Sequence, residues 1–412
     1  NFLYFIKLRG TQRTPPPTKG ILNKKGYSQI KIYTYIMFET PSIHRLEEAI
    51  ASPSNPIGMR MRAAYFLRQV YDQEQTNAAS NPSNNNTRNP HQERIDRVID
   101  TLGKGLENKQ HGSLMRHEFA YVMGQLRDEK CCDMLEQTLA DNDDCVMVRH
   151  ECAEALGAIG ADRSIPILKK AMKDNKHKME IYQTCEIAIA HMEWRIQKHE
   201  TNQQQPQEKV KHKNKEEDDD DDEPMACACM ISPYSSIDPA PPHPKHIHLS
   251  TETLGTILRD TNLPLFERYR AMFSLRNRGG EECVLELGQA LIFDDSSALL
   301  RHEIAYVLGQ MQHPSAIYSL GQSLRRSNEH EMVRHESAEA LGAIDANADQ
   351  WNECENLLHE FAQDEDIVVR ESCLVALDAA DYWGHLSHSN DTSNDNCNDN
   401  IHENQETNMN DS

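Results

Sequence analysis

Apolar side chains recur along most of this chain at spacings of three and four, the period of a helix that buries one face. Residues 95–106 set Ile95, Val98, Ile99, Leu102 and Leu106 on one stripe. After a turn at His111-Gly112-Ser113 comes LMRHEFAYVMGQL, residues 114–126. At about 100° per residue, Phe119, Val122, Met123 and Leu126 share one side of that helix, and His117, Glu118, Tyr121 and Gln125 share the other. The polar side is therefore expected to face away from the core. Similar helical pairs are predicted over 131–140 with 146–159, 165–173 with 180–197, 251–260 with 265–276, 281–293 with 299–311, 317–325 with 332–344, and 354–363 with 367–381. A first pair starts at Pro41 and runs through 56–70. The pattern predicts an all-α protein with four helical hairpins in each of two halves.

The polar side carries a repeated phrase. His117-Glu118, His150-Glu151, His302-Glu303 and His335-Glu336 sit in LMRHEFAYVMGQL, MVRHECAEALGAI, LLRHEIAYVLGQM and MVRHESAEALGAI. The step within each half is 33 residues and between halves 185, an internal duplication of a tandem repeat. Such a period belongs to an α-solenoid, whose hairpins bury their apolar faces by stacking on one another. Neighbouring helices lie roughly 8 to 10 Å apart, so histidines one repeat apart can reach one metal ion. Adjacent residues point in different directions on a helix, so each glutamate is expected to serve an ion held elsewhere. Two histidines of one half with a carboxylate of the other give a two-His-one-carboxylate set with open positions, and two such sites make a di-iron centre. The bland alternative makes Arg-His-Glu a stacking device, with Arg bound to the Glu of the next repeat. The first, fourth, fifth and eighth repeats lack the doublet, which a stacking device would require throughout.

The halves differ outside the repeats. Arg60, Arg62, Ala63, Leu67 and Arg68 align with Arg268, Arg270, Ala271, Leu275 and Arg276 at an offset of 208, so the first half carries 23 extra residues before His117. Composition places the insertion around the Asn-rich residues 73–90, which are expected not to fold. Residues 199–249, including EEDDDDDE, read as a flexible acidic linker between a lobe at 41–198 and a lobe at 250–384. Residues 1–36 hold seven Lys or Arg and no acid; residues 1–40 are expected to be a leader outside the fold, with Met37 a candidate start. The Asn-, Asp- and Ser-rich tail, 385–412, is expected to be disordered.

With 38% apolar and only 6% aromatic residues, the composition suits a helical array better than one large core. A net charge of −22 excludes a nucleic-acid partner and favours a basic one. No stretch is long enough to span a membrane. Eleven cysteines without a CxxC pair read as reduced thiols in a cytoplasmic protein. Cys227 and Cys229 read as incidental, and His243, His246 and His248 as at most an adventitious metal site. The His/Glu set suits iron, whereas structural zinc favours a closed set rich in cysteine. Tyr121 and Tyr306 lie four residues after a histidine, on the same face, as metal-supporting, substrate or packing groups.

Together with ERYRAMFSLR at 267–276 and VVRESC at 368–373, the four Arg-His-Glu helices resemble the deoxyhypusine hydroxylase family over about 41–198 and 250–384. The resemblance implies a HEAT-repeat solenoid of two pseudo-symmetric lobes facing a shared di-metal site. It implies a monooxygenase that uses two Fe(2+) ions, O2 and an external electron donor to hydroxylate the deoxyhypusine side chain of eukaryotic translation initiation factor 5A. The family's metal residues carry over to His117, Glu118, His150, Glu151, His302, Glu303, His335 and Glu336. The four glutamates are the candidate catalytic groups, and Glu151, Glu336, Tyr121 and Tyr306 the candidate substrate contacts. A monomer is expected. Bilin lyases of HEAT-like fold and a non-catalytic scaffold share the solenoid, but neither needs four regular His-Glu pairs.

Overall fold

The computed structural model describes residues 41–80, 89–204, 232, 234 and 236–391. Among these the secondary structure is helical throughout, without strands. In chain order the helices are α1 (Ile43–Ala51), α2 (Ile57–Ser80), α3 (Pro90–Glu107), α4 (Gly112–Leu126), α5 (Cys132–Ala140), α6 (Val146–Ile159), α7 (Ile165–Asp174), α8 (Met179–Gln204), α9 (Thr251–Arg259), α10 (Leu265–Arg278), α11 (Glu281–Phe293), α12 (Ala298–Met311), α13 (Ile317–Arg325), α14 (Glu331–Ala343), α15 (Ala348–Phe361) and α16 (Ile367–Asp391). They pair as eight hairpins, the number the repeats predict. Local chemistry sets their ends: Ser250 and Ser297 accept from the backbone N–H of Thr253 and Leu300 at the starts of α9 and α12. Gly160 ends α6 in the left-handed conformation at φ 69°.

One apolar core runs through the first eight helices and a second through the last eight. The cores are not independent. Val368, Val375 and Ala379 of α16 enter the first, and Ile187 of α8 enters the second. Accordingly α8 packs on α10 and α12, while α16 packs on α2 and α4. The two halves thus touch at both seams and enclose the inner helices α4, α6, α12 and α14.

The arginine of each Arg-His-Glu phrase holds the scaffold, though not through the doublet glutamates. Arg116, Arg149 and Arg334 of the phrase, and Arg268 at the same place in the fifth repeat, each donate from Nε to the carbonyl ten residues earlier, at 2.6, 3.0, 3.0 and 2.8 Å, whereas Arg301 forks onto Glu329 at 2.8 and 2.6 Å. Arg116 also forks onto both oxygens of Asp144 at 2.6 Å, Arg268 binds Asp294, and Arg334 binds Asp364 at 2.5 Å. Except for Arg149, which binds Asn142 in the turn of its own hairpin at 2.9 Å, each guanidinium therefore ties its own hairpin to the turn of the next. The fifth repeat keeps this arginine without a doublet, so the two parts of the phrase do separate jobs.

Three expectations change. The Asn-rich insertion is helical as far as Ser80: Glu74 is buried against His91 and Arg94 at 2.5 and 2.9 Å, so charge pairing continues a helix that lacks an apolar stripe. The last stretch of the expected linker is ordered. From Ser236 to Leu249 it forms a strap in which Ile237 N–H donates to Gln125 at 3.1 Å, Asp238 binds Arg276, and Pro241 accepts from Arg270 at 3.1 Å. Its hydrogen bonds are backbone and single side-chain contacts that leave no periodicity. Finally α8 reaches Gln204 and α16 reaches Asp391, past the expected lobe ends at 198 and 384. The leader, residues 81–88, the acidic run with Cys227 and Cys229, and the tail beyond 391 lie outside the described residues.

Asp144→Ala would leave Arg116 buried with one carbonyl partner. Breaking such a pair is expected to cost about 3–5 kcal/mol, read as a lowered denaturant midpoint with unchanged slope. A change under about 1 kcal/mol would mean the pair behaves as a surface contact.

Candidate metal centre

The close approach of the inner helices begins at glycine. Gly124, Gly157, Gly309 and Gly342 each lie seven residues after a doublet histidine. A Cβ on them would fall 2.7 Å from Ala155 Cα, 2.8 Å from Ala188 Cβ, 3.0 Å from Ala340 Cβ and 2.7 Å from Ala376 Cβ. The helices therefore meet backbone to backbone, and their polar sides converge.

Four imidazoles occupy the convergence. Ring centroids lie 5.4 Å apart for His117 and His150, 5.4 Å for His302 and His335, 5.3 Å for His117 and His335, and 5.5 Å for His150 and His302. Histidines of opposite halves are thus as close as histidines of one half. Ligand atoms of His117, His302 and His335 lie within 4.8 Å of one another, as do those of His117, His150 and Glu151, and those of His335, Glu336 and Glu339. His117 Nε2 stands 3.1 Å from Glu151 and His302 Nε2 3.7 Å from Glu336. Glu118 accepts from the Tyr65 hydroxyl at 2.6 Å and lies 3.1 Å from His117 Nδ1. That last contact corrects the expectation that members of one doublet point apart, because the Glu118 side chain turns back toward its neighbour.

The His-Glu side does lie opposite the apolar stripe, but it is not exposed to solvent. All eight residues are at most 5% exposed, because the polar sides of the two halves face one another across the seam. Burial then dominates their protonation. It pushes His150 and His302 well below the imidazole range, with the neighbouring imidazoles adding to the effect. His117 is the exception: Glu151 and Glu118 outweigh its burial and hold it well above that range. Burial raises Glu303 and Glu336 well above the carboxylate range, aided by Glu154 and Glu339 respectively. Burial would also raise Glu118, but the hydrogen bond with His117 prevails and brings it to about 2.

A dication answers this arrangement. Both ring nitrogens of His150, His302 and His335 are buried without a hydrogen-bond partner, each such group costing about 1–3 kcal/mol if left so. Imidazoles with carboxylates and no thiol in the cluster form a nitrogen–oxygen donor set.

The cavity beside the cluster is lined by Tyr65, Tyr121, Tyr306, Glu154, Ile237 and Pro239 together with His117, His302 and the four doublet glutamates. Tyr121 and Tyr306, at equivalent positions of the two halves, meet hydroxyl to hydroxyl at 3.2 Å. Sequence reasoning missed Glu154 and Glu339, although they follow His150 and His335 by the same four residues that placed the tyrosines. Burial and Glu151 push Glu154 up to about 8. Tyr65 and the strap carried no such signal. His246 is bound to Ser274 at 2.8 Å and His243 accepts from Lys245 N–H, so both hold the strap.

Fold and centre define a metal-dependent enzyme built on helical repeats. Residues 99–183 and 251–342 match the HEAT-repeat family. Deoxyhypusine hydroxylase of Xenopus laevis is 38% identical over 340 residues, 82% of this chain and 91% of the relative. That of Mus musculus is 37% identical over 346 residues, 84% and 94% of the two chains. Human deoxyhypusine hydroxylase, solved in complex with glycerol, is 35% identical with a TM-score of 0.64, covering 83% of this chain and 97% of its own. This chain belongs to the deoxyhypusine hydroxylase family.

Gly124→Ala forces α4 away from α6, since the added carbon meets backbone. It is expected to cost about 1–3 kcal/mol and to weaken metal binding at least as much as it weakens the fold. Metal titration followed by circular dichroism checks this; full metal affinity in the variant would break the link between helix approach and site.

Proposed function

We propose that this chain hydroxylates the deoxyhypusine side chain of eukaryotic translation initiation factor 5A, with two iron ions, O2 as co-substrate and an external electron donor. The buried cluster of four imidazoles and surplus carboxylates at the seam between the halves carries the reading. His117, His150, His302 and His335 would hold the metal with Glu118 and Glu303, one carboxylate crossing to each pair of histidines. Glu151 and Glu336 would be shared between metal and substrate. The halves 41–198 and 250–384 act as two lobes of one site, in a cytoplasmic monomer. Among the described residues no helix is long and apolar enough to cross a membrane, and all the described cysteines are free thiols.

When bound, iron supplies the activation of O2 that no side chain provides. One oxygen atom enters a C–H bond and the other leaves as water, with two electrons from the donor and two protons. The chain's own residues do the rest. As a ligand His117 would have to be the neutral imidazole, so loading the site would release its proton. The target side chain carries amines that are cations at neutral pH. Carboxylates of the cavity can hold them by charge-assisted hydrogen bonds and place the carbon between them beside the metal. Tyr65 fixes Glu118, and the Tyr121–Tyr306 pair closes one wall. The free space, about 20 Å³, admits a water-sized guest.

Loaded anaerobically with ferrous iron, the full chain should bind about two ions. His117→Ala should lower occupancy while far-ultraviolet circular dichroism stays unchanged. Unchanged iron content in that variant would remove His117 from the site; loss of helicity with retained iron would make it structural.

A further inference from the structure

Beside the metal cavity, and sharing Ile237 with it, lies a second cavity of about 260 Å³ whose wall includes Arg127, Arg195, His191 and Asn277. A narrow space walled by His191, Pro239 and Glu154 joins their neighbourhoods. Hydrogen-bond accounting sets this second cavity apart. Asp238 is its one carboxylate, and both its oxygens are taken by Arg276. Asn277 accepts from Arg276 at 3.0 Å through Oδ1, while its Nδ2 is buried without a partner. His191 is 8% exposed, and its Nδ1 has no partner either.

Among the described residues the wall's arginines are not alone in lacking a carboxylate, since Arg60 and Arg149 lack one too, but they share a cavity with other unpartnered polar atoms. Arg116, Arg268, Arg276, Arg301 and Arg334 all meet carboxylates, as the acidic composition makes easy. Among the described residues Arg127 and Arg195 meet none. Both stand at carbonyl ends of helices: Arg127 ends α4 in the left-handed conformation, and the Arg195 guanidinium lies against Gly160 at the end of α6. A cation is favoured there. That explains the charges, but it does not explain an unpartnered amide and imidazole in the same cavity wall. Burial, Arg195 and Arg127 bring His191 down to about 4, so the imidazole adds no positive charge of its own near neutral pH. The wall offers guanidinium and amide donors and no unengaged carboxylate.

We propose that this cavity is an anion site that takes a carboxylate or phosphate-like oxyanion, held by Arg127 and Arg195 with Asn277 Nδ2. The ligand is a free small anion or an acidic group of the protein substrate docking beside the metal cavity. In the second case the proposal rests on the hydroxylase reading; in the first it stands without it.

Calorimetric titration of the iron-loaded full chain with inorganic sulfate, at ionic strength held constant with sodium chloride, tests it. One saturable site is expected, weakened about tenfold or more in Arg195→Gln and in Arg127→Gln. Asn277→Asp keeps the size and the bond from Arg276 but adds a carboxylate, and should remove sulfate binding. Each variant is compared by thermal melt without sulfate, and a folded Asn277→Asp keeps the test valid if an arginine variant does not fold. If sulfate also raises KM for the protein substrate at constant kcat, the natural ligand is an acidic group of that substrate; if KM is unmoved, it is a free anion. Both outcomes keep the site. Absence of saturable binding by the parent, or equal binding by all folded variants, would overturn it. Because binding is read without turnover, its failure leaves the hydroxylase reading untouched, and a failure of hydroxylation leaves the free-anion site standing.

Discussion

Four imidazoles and a set of carboxylates are buried at one seam with too few partners, and the rest of the molecule is arranged around that cost. Isolated, so many desolvated polar groups would oppose folding. Two apolar cores, the guanidinium ties at Arg116, Arg268 and Arg334, and the shared helices α8 and α16 offset it. Glycine supplies the remaining condition. Without side chains at Gly124, Gly157, Gly309 and Gly342, the inner helices come close enough for imidazoles of both halves to surround a common space. The site is thus a property of the seam, not of either half.

The strap from Ser236 to Leu249 gives the seam a boundary. Gln125 and Gln310 occupy equivalent places in the two halves and both bind it, Gln125 through Ile237 N–H and Gln310 through Ser236 at 2.9 Å. One connection therefore bonds to α4 and α12 and walls the metal cavity with Ile237 and Pro239. On its other side it walls the donor-lined cavity of Arg127 and Arg195. A carboxylate-rich cavity and a guanidinium-bearing one therefore stand next to each other.

Much of this could be read in the sequence. The 33-residue and 185-residue steps placed the helices, and the doublets named the residues that converge. What escaped was what period alone does not encode. A helical wheel separated His117 and Glu118 from Phe119 and Val122, but both sides are buried, because a second polar face covers the first. Arg-His-Glu read as one word, yet Arg116 serves a neighbouring turn while His117 and Glu118 serve the seam. The four-residue rule that selected Tyr121 and Tyr306 applied equally to Glu154 and Glu339, and was not carried across. The strap and the last turns of α2 are held by single polar contacts such as Asp238–Arg276 and Glu74–Arg94, which leave no repeat to detect.

Oxygen transfer by the full chain tests the account most directly. The iron-loaded protein is mixed with the deoxyhypusine-bearing factor, a reductant and isotopically labelled O2, and the modified lysine is examined by mass spectrometry. The account predicts one labelled oxygen atom on that side chain, formed by the parent and lost in His117→Ala and His302→Ala variants that remain helical. Unlabelled product, or equal labelling by the parent and both variants, would contradict it.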